Sequence, residues 1–456
     1  MRRLVLLVLA LGLAVPVVAA ADPLAGPQTV ARQAVADTAA TCRRDTPLTD
    51  EQCAAVPGSP AVTEQALRDY EASRTHRALA LQVALGNDVP FRHAGWLGTH
   101  NSFNTTTRAV TISGLDANQQ LSLTDQLRSD VRSLELDAHW FPSAWAGGAY
   151  APVLCHARGA SEGHAGCTTE PLLADGLTEI ATWVRAHPGE VVLVYLEDHL
   201  EGEEGYAAAA TDVRRVFGDL LYAPGGTTCT KLPLDRTRND VLRAGRQVVV
   251  ISSCAAGAGW NGAVFDDGDR ARWETGPTGY GEGGTCAPDR DPAAFDDRLL
   301  RVFEDSTALT ATTDQATDPI TVGKAKALQR CAVDITGFDQ VVPGDPRLAA
   351  SVWTWAPSEP VAGGGCVVQR SDGWHAVPCS QRHAFACRTS TGWRVDRAVL
   401  PYPAAPSRCR GDQVGTPRYG YEAVQLAGAM KAAGVDRVWL SLTRAGAGWT
   451  AHDSPR

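Results

Sequence analysis

The chain is short of positive charge. Lys and Arg number 42 against 51 Asp and Glu, giving a net charge of −9. Nucleic-acid binding draws much of its affinity from cations that neutralise phosphates, so nucleic acid is excluded as the main partner. Capture by anionic membranes through charge alone is excluded on the same ground, which leaves brief contact through a local patch. The 12 Cys include no C-x-x-C pair, and a zinc site is not expected without one. Beyond the first 21 residues no apolar run approaches the roughly 20 residues that span a bilayer. The first candidate strand is not followed by a Gly-rich phosphate loop, which argues against an open dinucleotide-binding sheet.

The N-terminus does carry one apolar run. Arg2 and Arg3 precede the apolar stretch 4–18, and Ala19, Ala20 and Ala21 follow it. That order is a secretory signal peptide over 1–21. Pro16 and the shortness of the run disfavour a membrane anchor. The mature protein is therefore expected to be secreted, extracellular and soluble, and a monomer is expected. An even number of Cys in an exported chain predicts disulfides. Cys42 with Cys53 and Cys155 with Cys167 are candidate local pairs, and the full connectivity stays open.

At 456 residues the chain has room for about two to three domains. Residues 22–90 read as a helical lead-in, with a helix over 63–84 stopped near Gly86-Asn87. From 91 the texture changes to short apolar runs alternating with amphipathic stretches. Candidate strands are AGWLGTH, VRSLELDAHW, APVLCHA, EVVLVYLED, RQVVVISSC, CAVDIT and SVWTW. Candidate helices cover 123–130, 172–187, 206–221, 294–303 and 322–330. Alternation of this kind predicts an α/β fold with a parallel sheet. The span 91–355 suits a (β/α)8 TIM barrel of about 250 residues, distorted because not every strand is visible. After 355 the composition turns to Gly, Pro, Cys and Trp. Residues 356–456 read as a small disulfide-rich region with a helix over 421–433 and the strand VDRVWLSL.

The chemistry gathers at strand ends, where barrel active sites lie. His100 and Asn101 close the first strand in GTHNSF. Glu135 and Asp137 sit in SLELDAHW, His156 closes APVLCHA, and Glu197 and Asp198 close EVVLVYLED. Glu135 and Asp137 are two apart and share a strand face, with Leu134 and Leu136 on the other. Two carboxylates facing one mouth repel unless a cation lies between them. Asn101, Glu135, Asp137 and Glu197 offer oxygen only, which suits calcium and argues against zinc or copper. Two histidines beside such a cation can serve as base and acid in attack of a hydroxyl on a phosphodiester. His93, His139, His164, His187 and His199 carry no such context and read as structural or solvated.

These residues resemble the catalytic X domain of phosphatidylinositol-specific phospholipases C over about residues 95–253. GTHNSF is similar to the family's first histidine motif, DQLRSDVRSLELDAHW to its second block, VLCHA to the second-histidine strand and HPGEVVLVYLED to the fourth strand. The His-Asn pair and the Glu-x-Asp block resemble the calcium-dependent kind. In the calcium-independent kind an Arg takes the metal's place, and the second block here has none at that position. The resemblance implies that His100 activates the inositol 2-hydroxyl and His156 protonates the diacylglycerol leaving group. The first product would be inositol 1,2-cyclic phosphate. The following strand, RQVVVISSC, has Ile251, Ser252 and Ser253 where members acting on phosphorylated headgroups carry Lys, so phosphatidylinositol at membrane surfaces is the implied substrate.

The tail resembles a C-type lectin in two pieces. WAPSEP, GGCVVQRSDGWHAVPC and HAFACR are similar to its closing half, and YEAVQLAGAMKAAGVDRVWLSL to its opening half. Val361 stands where a sugar site has Asn. The resemblance implies a structural cap, with carbohydrate or cell-surface contact left open. Two other functions compete. A glycerophosphodiester phosphodiesterase also uses a barrel, histidines and a bound metal, but usually opens with His-Arg where this chain has His100-Asn101. A non-catalytic barrel with a lectin-like binding module is the second, and retention of both histidines and the oxygen set argues against it.

Overall fold

The computed structural model describes residues 62–107, 117–156, 167–268, 274–281, 299–307 and 319–453. Residues 1–21, where a signal peptide is expected, and Cys42, Cys53 and His164 lie outside them. In chain order the helices are α1 (Glu64–Glu71), α2 (Arg74–Gly86), α3 (Leu123–Arg128), α4 (Leu173–Ala186), α5 (Gly202–Phe217), α6 (Arg238–Arg243), α7 (Val322–Arg330), α8 (Pro346–Ala350) and α9 (Gly420–Ala433). The single helix expected over 63–84 is two. Ser73 breaks it by capping α2, its hydroxyl accepting from the His76 N–H.

The first sheet comprises β1 (Trp96–Thr99), β2 (Ser133–Pro142), β3 (Tyr150–Leu154), β4 (Val192–His199), β5 (Leu221–Tyr222), β6 (Val248–Ser252), β7 (Phe265–Asp266), β8 (Glu274–Thr275), β9 (Arg301–Phe303) and β10 (Ile335–Phe338). Its order is β5-β6-β4-β2-β1-β10-β9-β8, with β7 also on β6 and β3 on β2. Every pairing is parallel except β2 with β3. This is a curled parallel sheet of half-barrel form. Among the described residues β7 and β8 are not paired with each other, so the ring is not seen to close.

Strand alternation sets two cores. Leu134, Leu136, Val194, Leu196, Val248 and Val250 face helices α3, α4 and α5. Trp96, Leu193, Tyr195, Val249, Ile251 and Ile335 face the inside of the curl. Leu134 and Leu136 thus pack on the helices as their spacing predicts.

Three expectations are corrected. APVLCHA is not a parallel barrel strand. β3 folds back on β2, pairing Ala138 with Leu154, so the chain returns to the mouth with His156 just past the strand. The helix expected over 294–303 gives way at 301–303 to strand β9, and 294–298 lie outside the described residues. SVWTW is irregular rather than extended, and Trp353 and Trp355 pack edge-on against Trp374.

The C-terminal sheet holds β11 (Cys366–Arg370), β12 (Gly373–Val377), β13 (Arg382–Thr389), β14 (Gly392–Pro401), β15 (Gln413–Val414), β16 (Val438–Ala445) and β17 (Gly448–Ala451), in the order β12-β11-β16-β13-β14. Disulfides Cys366–Cys379 and Cys387–Cys409 staple it, while Cys155–Cys167 and Cys229–Cys254 staple the first sheet's loops. Its core takes in Ala78 and Leu85 of α2 together with Trp353 and Trp355. Among the described residues no helix is long and apolar enough to cross a membrane.

Candidate active site

His100 follows directly on β1 and is almost fully buried. Its Nδ1 donates to Asp339 Oδ2 at 3.1 Å, which turns Nε2 toward the mouth. Asn101 has φ of 44°, a left-handed conformation that Asn tolerates better than most residues. The turn points two groups inward. The backbone N–H donates to Glu135 Oε2 at 2.9 Å. The side-chain amide nitrogen donates to both oxygens of Asp137, at 3.1 and 2.9 Å, and the amide oxygen accepts from His156 Nε2 at 3.3 Å. The same end of the amide lies 3.3 Å from His100 Nε2.

The parallel register of β2 and β4 sets Asp137 beside Glu197 and Glu135 beside Tyr195. Glu135, Asp137 and Glu197 each bring an oxygen within 4.8 Å of the others. Six of the seven strand-end residues singled out from the sequence, all but Asp198, therefore meet at one mouth. The neighbouring histidines do not join them as a set. His93 stacks on Tyr419, His187 Nδ1 donates to Trp183 O in the last turn of α4, and His139 stacks on His199. His199 borders the site, with Nε2 at 3.2 Å from Glu197. Asp198 turns away to Ser253 and Tyr206.

Sequence reasoning missed four residues. Asp339 stands at the end of β10, a strand read as stopping two residues too early; carried through Gly337 and Phe338, it ends on a carboxylate like its neighbours. Arg301 was hidden inside the misread helix. Its Nη2 donates to Glu135 Oε2 at 2.5 Å, and both side chains are 3% exposed. Arg301 pairs in register with Ile335, level with Trp96, so it rises into the site from the layer below. Gly337 leaves it room, since a Cβ there would stand 2.8 Å from Phe303 Cβ and 3.6 Å from Arg301 Nη2. Asn118 and Asn104 form a relay. Asn118 Nδ2 donates to Asp339 Oδ2 at 3.3 Å, Asn104 Nδ2 donates to Asn118 Oδ1 at 2.8 Å, and Asn104 Nδ2 also lies 3.1 Å from His156 Nδ1. With the amide donating, His156 Nδ1 accepts and Nε2 carries the proton.

The electrostatics follow from this crowding. Burial alone would lower the His100 pKa, but Asp339 and then Glu135 outweigh it and push it up to about 10. Burial pushes the Asp339 carboxyl up to about 7, but His100 and the hydrogen bonds accepted from the Ser306 N–H at 2.7 Å and Gln119 Nε2 at 2.9 Å keep it below His100, which leaves the shared proton on His100. Asp137 is driven well above the usual carboxylate range by burial and by Glu197 and Glu135. Four carboxylates against Arg301 and a protonated His100 leave an excess negative charge at the mouth. The donor set is oxygen-only and negative, and it fits a hard divalent cation held by Glu135, Asp137 and Glu197. Glu135 keeps only Oε1 uncommitted to Arg301 and Asn101, and Asn101 spends its amide on Asp137 and His156.

Residues 55–345 match the family described as the Rv2075c PI-PLC-like domain. The chain is 39% identical over 410 residues to Rv2075c, an uncharacterized protein of Mycobacterium tuberculosis, across 85% of this chain and 83% of that one. A PI-PLC X domain-containing protein of Arabidopsis thaliana is 24% identical over 232 residues, 48% of this chain and 49% of that protein. Among solved structures, the phosphatidylinositol-specific phospholipase C of Listeria monocytogenes is 14% identical with a TM-score of 0.36, across 58% of this chain and 95% of its own. A calcium-dependent phosphoinositol-specific phospholipase C of a Pseudomonas species is 14% identical with a TM-score of 0.33, across 58% and 93%.

Proposed function

Because this chain belongs to the Rv2075c PI-PLC-like family, we propose that it is a secreted, calcium-dependent phospholipase C that cleaves phosphatidylinositol. One observation carries the reading: Nε2 of His100 and Nε2 of His156 both lie 3.3 Å from one end of the Asn101 amide, beside three clustered carboxylates. A base, an acid and an oxygen cage for a cation converge on one mouth.

His100 and His156 have complementary hydrogen-bond states. Despite burial, Asp339 and Glu135 hold His100 protonated while no divalent cation lies among the carboxylates. A cation there would offset that pull and free Nε2 to take a proton, while the Nδ1–H still donates to Asp339. His156 holds its proton on Nε2, so it is the atom that gives one. His100 removes the proton of the inositol 2-hydroxyl, the 2-oxygen attacks phosphorus, and the bond to the diacylglycerol oxygen breaks. That oxygen takes the His156 proton, and inositol 1,2-cyclic phosphate is left. Glu135, Asp137 and Glu197 would hold a calcium ion, which would offset phosphate charge and lower the pKa of the attacking hydroxyl. Asn101 spaces the two rings, and Arg301 fixes Glu135.

The tail is proposed as a structural cap. Glu359, the carboxylate of the sugar-site resemblance, is spent internally on His375 Nδ1 at 3.0 Å and on the N–H groups of Val361 and Ala376 at 2.9 and 3.2 Å. The test is hydrolysis of phosphatidylinositol liposomes with and without chelator, with product analysis. Inositol cyclic phosphate formed only with calcium supports the proposal. Glycerol 3-phosphate from deacylated substrate, or no turnover, overturns it.

A further inference from the structure

The β2–β3 hairpin continues past the site on the strand that carries Glu135 and Asp137. Residues 138–154 read AHWFPSAWAGGAYAPVL, 17 residues without one Asp, Glu, Lys or Arg in a chain that is 20% charged. At that frequency about three charges are expected, so their absence is a feature of the segment. Trp140, Phe141, Trp145 and Tyr150 make nearly a quarter of it, against 7% Phe, Trp and Tyr overall. Five residues of β2 lie beyond Asp137, which carries the turn about 16 Å past the carboxylate at 3.3 Å per residue.

The tip is ordered before it meets anything. Ser143 N–H donates to Ala149 O at 2.9 Å and Gly148 N–H to Ser143 O at 2.8 Å. The Trp145 indole N–H donates to Thr169 O at 2.9 Å, tying the turn to the segment that the Cys155–Cys167 disulfide anchors. Tyr150 lies 5.7 Å from Trp140 between ring centroids and is 58% exposed, a large apolar surface left in water. Trp and Tyr, each an apolar ring with a polar handle, are the side chains that settle at the headgroup layer of a bilayer.

We propose that this hairpin is a lipid-surface wedge: its aromatic tip enters the interfacial layer of a bilayer and so turns the His100–His156 mouth toward the substrate headgroups. The inference deepens the proposed function and rests on its lipid substrate. Continuity argues for a bilayer as the occupant, because one strand bears both the site carboxylates and the tip. The missing charge explains how a protein of net charge −9 meets an anionic surface: the tip gains from apolar burial and has no carboxylate to repel it. Pre-ordering by Thr169 and the disulfide removes part of the entropy cost of docking.

The test measures partition onto vesicles of phosphatidylcholine and phosphatidylinositol, with calcium chelated so that no lipid is consumed, alongside hydrolysis of a short-chain, monomeric phosphatidylinositol with calcium present. Tyr150→Ser and the double variant Trp145→Ser/Tyr150→Ser are compared with Val399→Ser, which removes an exposed apolar residue from β14. The wedge predicts about tenfold weaker partition for the double variant, a smaller loss for Tyr150→Ser, no loss for Val399→Ser, and monomer hydrolysis within about twofold of wild type. Wild-type partition should also survive high salt, since no ion pair holds it. Unchanged partition in both hairpin variants overturns the wedge, as does an equal loss in Val399→Ser. A self-associating wild type that the Tyr150→Ser change dissociates overturns it too, by assigning the tip to a second copy. Failure of the wild type to cleave monomeric substrate defeats the proposed function instead, while the partition measurement still reads the hairpin.

Discussion

Arg301 Nη2 donates to Glu135 Oε2 at 2.5 Å, inside a curl where neither side chain reaches solvent. The guanidinium also lies over the rings of Phe303 and Tyr195, at 4.6 and 5.2 Å from their centroids. The second block of the sequence has no Arg at the position where one would replace the metal, yet the fold delivers one to the same carboxylate from β9. The site therefore combines a fixed protein cation with room for a divalent one.

Arg301→Met should expose the two roles with opposite signs. Breaking one member of a buried ion pair costs about 3–5 kcal/mol, so the variant should melt earlier in chelator. Loss of a positive charge beside Glu135 should tighten calcium, and calcium should recover much of the lost stability. Melting curves across a calcium titration check both. A weaker calcium response than wild type would show that Arg301 organises the cage rather than competing with its ion.

His100→Ala and His156→Ala should each lose at least about 10²-fold in turnover while staying folded. Asn104→Leu should lose less, about tenfold, because His156 remains but its tautomer is no longer fixed. The signature of that relay is the pH–rate profile: the limb assigned to the acid should move in Asn104→Leu and not in a surface control. Near-normal rates for either histidine variant would remove the acid–base assignment.

The near half of this site is legible in the sequence because its groups lie in or directly after apolar, strand-forming runs. β1, β2 and β4 announce themselves, and a carboxylate or His at the end of such a run has few packing explanations. The far half came from short strands. β9 is three residues long and pairs only through its neighbours, so no local periodicity marks it and Arg301 reads as helical. His156 was found for a partly wrong reason. VLCHA is a strand ending in His, but it returns antiparallel, and only the Cα register of Ala138 with Leu154 shows how it regains the mouth. Asn104 and Asn118 carry no sequence signal, since their partners are 52 and 221 residues away.

His76 gives stability a pH dependence outside the site. Its Nδ1 lies 3.0 Å from Asp130 Oδ2, which also accepts from Tyr70 OH at 2.6 Å, so one buried carboxylate clamps both α1 and α2. The hydrogen bond to Asp130 raises the His76 pKa; burial and Arg132 oppose it, and Glu71 assists. A raised pKa means a contribution fully present below the unfolded value of about 6.5 and lost as pH climbs through the folded value. Protection of the α2 amides, corrected for the intrinsic rise of exchange with pH, should therefore fall as pH climbs above about 6.5 in wild type. His76→Gln should flatten that slope, and an unchanged slope would assign it elsewhere.

Gly420 opens α9 against the barrel helices. A Cβ on it would stand 1.9 Å from Gln329 O at the end of α7, so no side chain fits without separating the two. Gly420→Val should lower the melting temperature and leave hydrolysis of monomeric substrate within about twofold, because the atoms a Cβ would meet belong to Gln329 and Trp353, neither of which supplies a group to the mouth. This separates the cap from the chemistry without truncation, which would strip cover from Trp353, Ala78 and Leu85. A large loss of turnover in a folded Gly420→Val protein would mean that the tail helps shape the mouth.

The charge excess at the mouth gives the calcium proposal its sharpest test. Glu135, Asp137 and Glu197 bring oxygens within 4.8 Å of one another, and the first of them is already held by Arg301. Without a divalent cation, burial and the two neighbouring carboxylates hold Asp137 protonated far above its ordinary range, and a phosphate would meet negative charge. Turnover should therefore fall to background in excess chelator and return with calcium. Magnesium should restore little, since it requires tight octahedral geometry and gives up water reluctantly. Asp137→Asn removes a charge but keeps the shape. It should raise the calcium needed for half activity and reduce calcium bound at equilibrium, measured by calorimetry on the substrate-free protein. Full turnover in chelator, with no metal found by elemental analysis, would leave Arg301 as the cation of the site and refute the calcium requirement.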